Sequence, residues 1–193
     1  MKAGGRSRFG WQSSGPSLVP LAGLTAYQVL NRLGLKAGET VLIHGGSGGV
    51  GSLGIQIAMA LGASVIATAS EKNHEFLRSL GAEPVAYGEG LAERVRALRP
   101  NGVDVVADFV GGNLEATLAV LAEGGRHASI ANSEVEEHGG DWMWVHPVGA
   151  DLQELADLAD SRKLRVEAAE VFPLEKPLMP SVPTWKGIPA ARS

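Results

Sequence analysis

Six residues carry the strongest chemical signal in the chain. Gly46-Ser47-Gly48-Gly49-Val50-Gly51 has the spacing G-x-G-x-x-G, directly after the apolar run Thr40 to His44 and directly before the helical stretch Leu53 to Leu61. Glycine at 46 and 48 lets a backbone turn sharply and approach a pyrophosphate. Gly51 lets a helix pack close to a sheet, and the helix N-terminus adds free amides and the positive end of a dipole. In a strand-turn-helix setting this spacing points to dinucleotide binding, against the plainer reading of a glycine turn that serves packing alone. The next chemical signal is Ala69-Ser70-Glu71-Lys72-Asn73, where an acid ending the second strand would bind the adenosine ribose hydroxyls and favour NAD. Ser70 and Asn73 can instead donate to a 2′-phosphate that Lys72 neutralises, with Glu71 opposing if it turns inward, so NADPH is expected over NADH.

Other residues narrow the chemistry. Gly45-x-x-x-Gly49-x-Gly51 is also the spacing of short-chain dehydrogenases, but their Tyr four residues before a Lys is missing, since Tyr27 leads to Asn31 and Tyr87 to Leu91. A flavin or S-adenosylmethionine domain stays open on fold grounds. The five histidines show no HxxxH or HExxH spacing, and none is expected to be catalytic. Asp104 and Asp108 share one face of the fourth strand, and Asp108 is expected to cap the Val110-Gly111-Gly112 turn. Trp142 and Trp144 project on one side of an extended segment as a subunit contact, a lid or local core.

The elements that position these residues follow from the pattern. Strands are expected at Thr40 to His44, Ser64 to Ala69, Pro84 to Ala86, Val103 to Phe109, Arg126 to Ile130 (after a Gly124-Gly125 turn) and Leu164 to Val171. Helices fall at Leu53 to Leu61, Asn73 to Leu80, Leu91 to Leu98, Leu114 to Leu121 and Leu152 to Ala159. This alternation demands parallel pairing with right-handed crossovers, hence an α/β, doubly wound, six-stranded parallel Rossmann sheet of order 3-2-1-4-5-6. Residues 1–19 are Gly-rich and unpatterned, and prolines crowd the stretch 173–193. The expected organisation is an irregular remnant or linker over 1–19, an NADP-binding domain over 20–176 and a disordered or aberrant tail over 177–193.

Composition sets the outer bounds. In 193 residues, 17 Lys and Arg stand against 21 Asp and Glu, giving a net charge of −4, so no nucleic acid or anionic membrane is expected as a partner. With no cysteine there is no disulfide, thiol nucleophile or thiolate zinc site. The longest apolar stretch, Ile55 to Ala69, is broken by Gln56, Gly62 and Ser64, and no apolar core follows the basic N-terminal residues. A cytoplasmic chain is expected.

The strings PLAGLTAYQVL (Pro20 to Leu30), LKAGETVLIHGGSGGVGSLGIQIA (Leu35 to Ala58), LGASVIATAS (Leu61 to Ser70), FLRSLGAE (Phe76 to Glu83), VDVVADFVGG (Val103 to Gly112) and EGGRHASIA (Glu123 to Ala131) resemble, in order, the coenzyme-binding domain of the quinone oxidoreductase branch of the medium-chain dehydrogenase/reductase superfamily. The resemblance implies that Thr25 lies near the nicotinamide. It further implies that the turn amides of Ser47, Gly48, Gly49 and Val50 hold the pyrophosphate and that Ser70 holds the 2′-phosphate. Val110, Ile130 and Ala131 would then border the nicotinamide half. It implies hydride transfer from NADPH to a small-molecule acceptor, a quinone, enone or related carbonyl compound, without zinc. It also implies a homodimer paired edge to edge, with Trp142, Trp144 or the strand Leu164 to Val171 as candidate contacts.

The family's GroES-like catalytic domain is not seen before Pro20, so the catalytic residues stay unassigned and this chain is expected to bind NADPH with at most trace turnover. From Pro177 the chain departs from the family's helix. Codons for the tail can be chosen so that the neighbouring frame reads AADAQRPNVEGHPRGKI, which leads to the expectation of a frameshift near Lys176.

Overall fold

The apolar run Thr40–His44 forms β1, and four of its five residues are buried because it lies mid-sheet with both faces covered. In the computed structural model, which describes residues 19–165, it is joined by β2 (Ser64–Ala69), β3 (Glu83–Ala86), β4 (Val103–Asp108), β5 (Leu121–Ser129) and β6 (Asp141–Trp142). The sheet is six-stranded and all-parallel, in the order β3-β2-β1-β4-β5-β6. The helices are α1 (Val19–Arg32), α2 (Gly49–Ala60), α3 (His74–Ser79), α4 (Leu91–Leu98), α5 (Leu114–Val120) and α6 (Gly149–Asp160), with short 3-10 turns at Glu71–Asn73 and Ser133–His138.

Strand alternation divides the core in two. Val41 and Ile43 of β1 pack with Leu30 of α1, Ile55 and Ile57 of α2, Leu77 of α3 and Leu155 of α6. Leu42 points the other way, with Ile66 and Val106, onto Leu91 and Val95 of α4 and Val120 of α5. Each face therefore buries a separate aliphatic layer, the doubly wound arrangement expected from the sequence.

Two expected elements are corrected. Among the described residues the sixth strand of the sheet is Asp141–Trp142, in register with Ala128 and Ser129 of β5, rather than one starting at Leu164. A 3-10 turn and Gly139-Gly140 bring the chain back beside β5 without a long helix, and a two-residue strand is too short to show alternation. Leu164 and Arg165 are irregular, and 166–171 fall outside the described residues. The second correction is at β5, which starts at Leu121, five residues earlier than expected. Gly124 and Gly125 form an irregularity within the strand, where the register slips between Val103 and Val105 of β4. A Cβ at Gly125 would sit 2.8 Å from Leu121 Cδ2 and 2.9 Å from the Ala122 carbonyl oxygen. The expected organisation over 1–18 and 177–193 lies outside the described residues; Val19 already belongs to α1.

Candidate functional site

β1 and β4 are neighbours whose following helices leave to opposite faces of the sheet. Their C-terminal ends therefore frame the crevice where open α/β sheets bind ligands. The glycine turn opens this crevice. Gly45 takes φ +77°, its amide donates to Thr68 Oγ1 (3.0 Å), and the Gly46 amide donates to the Thr68 carbonyl (2.9 Å), so the turn is tied to β2.

The glycines have distinct roles. A Cβ at Gly46 would lie 2.7 Å from Ala67 Cβ, so this residue fits the turn against the sheet. A Cβ at Gly51 would lie 2.2 Å from the Gly45 carbonyl oxygen, so Gly51 lets the first turn of α2 pass its own loop, a closer constraint than helix-to-sheet packing. At Gly49 a Cβ would meet nothing within 4 Å, and both Gly48 and Gly49 are exposed. With Gly48 as N-cap and no side chain capping it, the first amides of α2 face open space, a cradle suited to a pyrophosphate.

On the β2 side, Ser70 precedes the 3-10 turn Glu71–Asn73, and its hydroxyl makes no hydrogen bond among the described residues. Asn73 Nδ2 donates to Ser47 Oγ (3.1 Å), linking the β2 rim to the glycine turn. Lys72 is exposed and forms no ion pair among the described residues. Strand register adds a residue the sequence reading missed. Ala69 pairs with Ala86, so Tyr87 stands beside Ser70 at the same rim and is 61% exposed. Arg94 fixes that loop by donating to the carbonyls of Ala86 (2.8 Å) and Glu89 (2.9 Å).

Past β4 and β5 lies a buried polar network. Asp108 Oδ1 accepts from the amides of Val110 (3.1 Å) and Gly111 (3.0 Å), the turn cap expected from the sequence. Asp108 Oδ2 accepts from Ser129 Oγ (3.0 Å), and that hydroxyl accepts from the amides of Ala131 and Asn132 (both 3.1 Å). Beside them His44 is fully buried, with Nε2 3.2 Å from Thr117 Oγ1 and Nδ1 without a hydrogen-bond partner among the described residues. Burial lowers its pKa to about 4, against a smaller upward pull from Asp108. Ser129, His44 and Thr117 carried no motif signal; only the register of strand ends brings them together.

The structure thus gathers Ser47, Gly48, Gly49, Val50, Ser70, Lys72, Asn73, Val110, Ile130 and Ala131 on the C-terminal rim of the sheet. Thr25 lies on α1, where its hydroxyl donates to the Leu21 carbonyl of its own helix (2.8 Å). Asp104 belongs to the opposite end of the sheet, where its carboxylate accepts from the Thr40 amide (2.8 Å).

With this geometry in place, comparison with known proteins decides the family. Residues 49–151, just over half of the chain, match the family described as zinc-binding dehydrogenase. The chain belongs to the zinc-binding dehydrogenase family. Within the medium-chain dehydrogenase/reductase superfamily, this part is the nucleotide-binding one, which works with NAD(P)H.

The chain is similar to the quinone oxidoreductase from Coxiella burnetii, with a TM-score of 0.70 and 36% identity, covering 82% of this chain and 53% of that one. It is also similar to CurK enoyl reductase, with a TM-score of 0.72 and 31% identity, covering 82% and 55%. Phenolphthiocerol synthesis polyketide synthase type I Pks15/1 of Mycobacterium bovis is 33% identical over 186 residues, 91% of this chain and 9% of that protein. The chain therefore spans about half the length of these solved relatives and about a tenth of the synthase.

A catalytic zinc takes three protein ligands. Among the described residues, no three His, Asp or Glu side chains form a group that could hold a metal. None of the described helices is long and apolar enough to cross a membrane.

Proposed function

We propose that this zinc-binding dehydrogenase domain binds NADPH in preference to NADH and serves hydride transfer to a conjugated carbonyl acceptor. The observation that carries the reading is the open glycine cradle joined through Ser47 and Asn73 to a rim where Ser70 and Lys72 have no side-chain partner among the described residues. NADPH would bring the transferable hydride. The Gly48 amide donates to the Gly45 carbonyl (3.0 Å), so the α2 amides of Gly49 and Val50 would hold the pyrophosphate, and the Ser70 hydroxyl, with the Lys72 ammonium beside it, the 2′-phosphate. Tyr87 would flank the adenosine end. The loops at Val110 and at Ile130-Ala131 would border the nicotinamide.

For the acceptor, the similarity to enoyl reductases and polyketide synthases supports an enone or enoyl thioester alongside a quinone. Hydride transfer needs the acceptor roughly 3 to 3.5 Å from the nicotinamide in a water-excluded site. The described residues build one wall of such a site, so the chain alone is expected to bind coenzyme with trace turnover. The same reading pairs the chain with a second copy through β6, the edge of the sheet among the described residues.

Loss of NADPH absorbance, followed with enone, enoyl thioester and quinone acceptors, tests the proposal. Trace rates confined to NADPH are expected. Turnover of about 1 s⁻¹ or more would show that the described wall suffices. Absence of coenzyme binding would overturn the assignment.

A further inference from the structure

We propose that Asp108 and Ser129 are positioning residues which lock the loops after β4 and β5 into a single rim for the nicotinamide half of the coenzyme. The proposal rests on the nucleotide reading above. Its starting point is the direction of the loop amides. Those of Val110 and Gly111 donate to Asp108 Oδ1, that of Ile130 donates to the Asp108 carbonyl (3.1 Å), and those of Ala131 and Asn132 donate to Ser129 Oγ. Ser129 Oγ closes the set by donating to Asp108 Oδ2.

Five loop amides on two strands are thus organised by one carboxylate, one carbonyl and one hydroxyl. Asp108 is 5% exposed and Ser129 fully buried, so neither side chain can reach a ligand itself. Their effect must pass through the loops.

The loops also touch each other and the glycine turn. A Cβ at Gly111 would lie 3.2 Å from Ala131 Cβ and 3.3 Å from its carbonyl oxygen. A Cβ at Gly45 would lie 2.5 Å from Val110 Cγ1, so the Val110 side chain covers the start of the glycine turn. The rim is continuous from β1 through β4 to β5, and the Asp108–Ser129 hydrogen bond is its one side-chain joint between β4 and β5 among the described residues. A rim set before the ligand arrives lowers the ordering cost of binding. That gain belongs only to the part of the ligand lying against these loops. The adenosine end meets the Ser70–Asn73 rim, which this network does not touch.

The test compares two probes on the intact chain: NADPH, and 2′,5′-ADP, which keeps the phosphorylated adenosine and lacks the nicotinamide. Ser129→Ala removes the joint and leaves Asp108 Oδ2 and two amides unpaired. Asp108→Asn keeps side-chain volume but turns an amide donor toward Ser129, and it serves if Ser129→Ala does not fold. The expected result is NADPH binding weakened about tenfold while 2′,5′-ADP binding stays within about twofold, with native circular dichroism. Unchanged NADPH affinity would overturn the proposal. Equal losses for both probes would also overturn it, by showing a general role in the fold. If the unaltered chain binds neither probe, the nucleotide reading itself fails, an outcome distinct from both.

Discussion

Gly49 and Gly51 stand two residues apart in the first turn of α2 and carry opposite burdens. Gly51 has the Gly45 carbonyl oxygen 2.2 Å from where a Cβ would be, whereas Gly49 has nothing within 4 Å. Gly51→Ala is therefore expected to lower stability by about 1–3 kcal/mol through overpacking, more than the ~1 kcal/mol that alanine gains over glycine in a helix. Gly49→Val should leave thermal unfolding near that of the unaltered chain while abolishing coenzyme binding, because the branched side chain fills the cradle. Melting curves and coenzyme titrations of the two variants check this contrast, and coenzyme binding by folded Gly49→Val would mark the turn as a packing feature alone. The residue types here were legible because glycine spacing is itself the signal. The division of labour was not: it depends on a loop carbonyl placed by folding.

At the scale of elements, His44 joins β1 to α5 through Thr117 and titrates as a buried group. Its folded pKa of about 4 lies below the usual value of 6.5, so the unfolded chain binds the extra proton first as pH falls. Stability from this group is fully present above pH 6.5 and is lost between 6.5 and about 4, by at most about 3 kcal/mol. His127 shifts in the same direction, through burial and then the charge of His138, so its contribution has the same sign. Chemical denaturation across that window should show falling stability on acidification, with a shallower slope in His44→Gln, and an unchanged slope in that variant would contradict the assignment.

Element positions were otherwise largely readable. α4 (Leu91–Leu98) falls where its helical period places it, and β2 (Ser64–Ala69) where an apolar run bounded by turn residues places it. β6 escaped because its two residues are defined by pairing with Ala128 and Ser129, information that belongs to β5. The Asp108–Ser129 joint was half-legible for a related reason. Asp108 as a turn cap is a local pattern, while its partner lies on the neighbouring strand, 21 residues away.

The whole molecule ends in an edge that its own described residues leave open. β6 pairs on one side only, and beside it Trp142 and Trp144 meet edge-on with ring centroids 5.5 Å apart at 65°. They remain 38% and 65% exposed, a large aromatic area for one short segment. Pairing of two copies through this edge would extend the sheet and cover both rings. Sedimentation in the micromolar range should show a dimer, and Trp144→Glu should shift it to monomer with coenzyme binding retained. A monomeric unaltered chain would contradict this.

Reading of the coenzyme's 2′-phosphate by the rim beside the glycine turn, as proposed above, is put to the test by a fluorescence titration with NADPH and NADH on the unaltered chain and on Ser70→Asp. Tighter NADPH binding by the unaltered chain is expected, because the Ser70 hydroxyl and the Lys72 ammonium would meet the phosphate. A reversed preference is expected in Ser70→Asp, where a carboxylate would repel the phosphate and accept from the ribose hydroxyls of NADH. Equal affinity of the unaltered chain for both coenzymes, or a preference unmoved by Ser70→Asp, would contradict it.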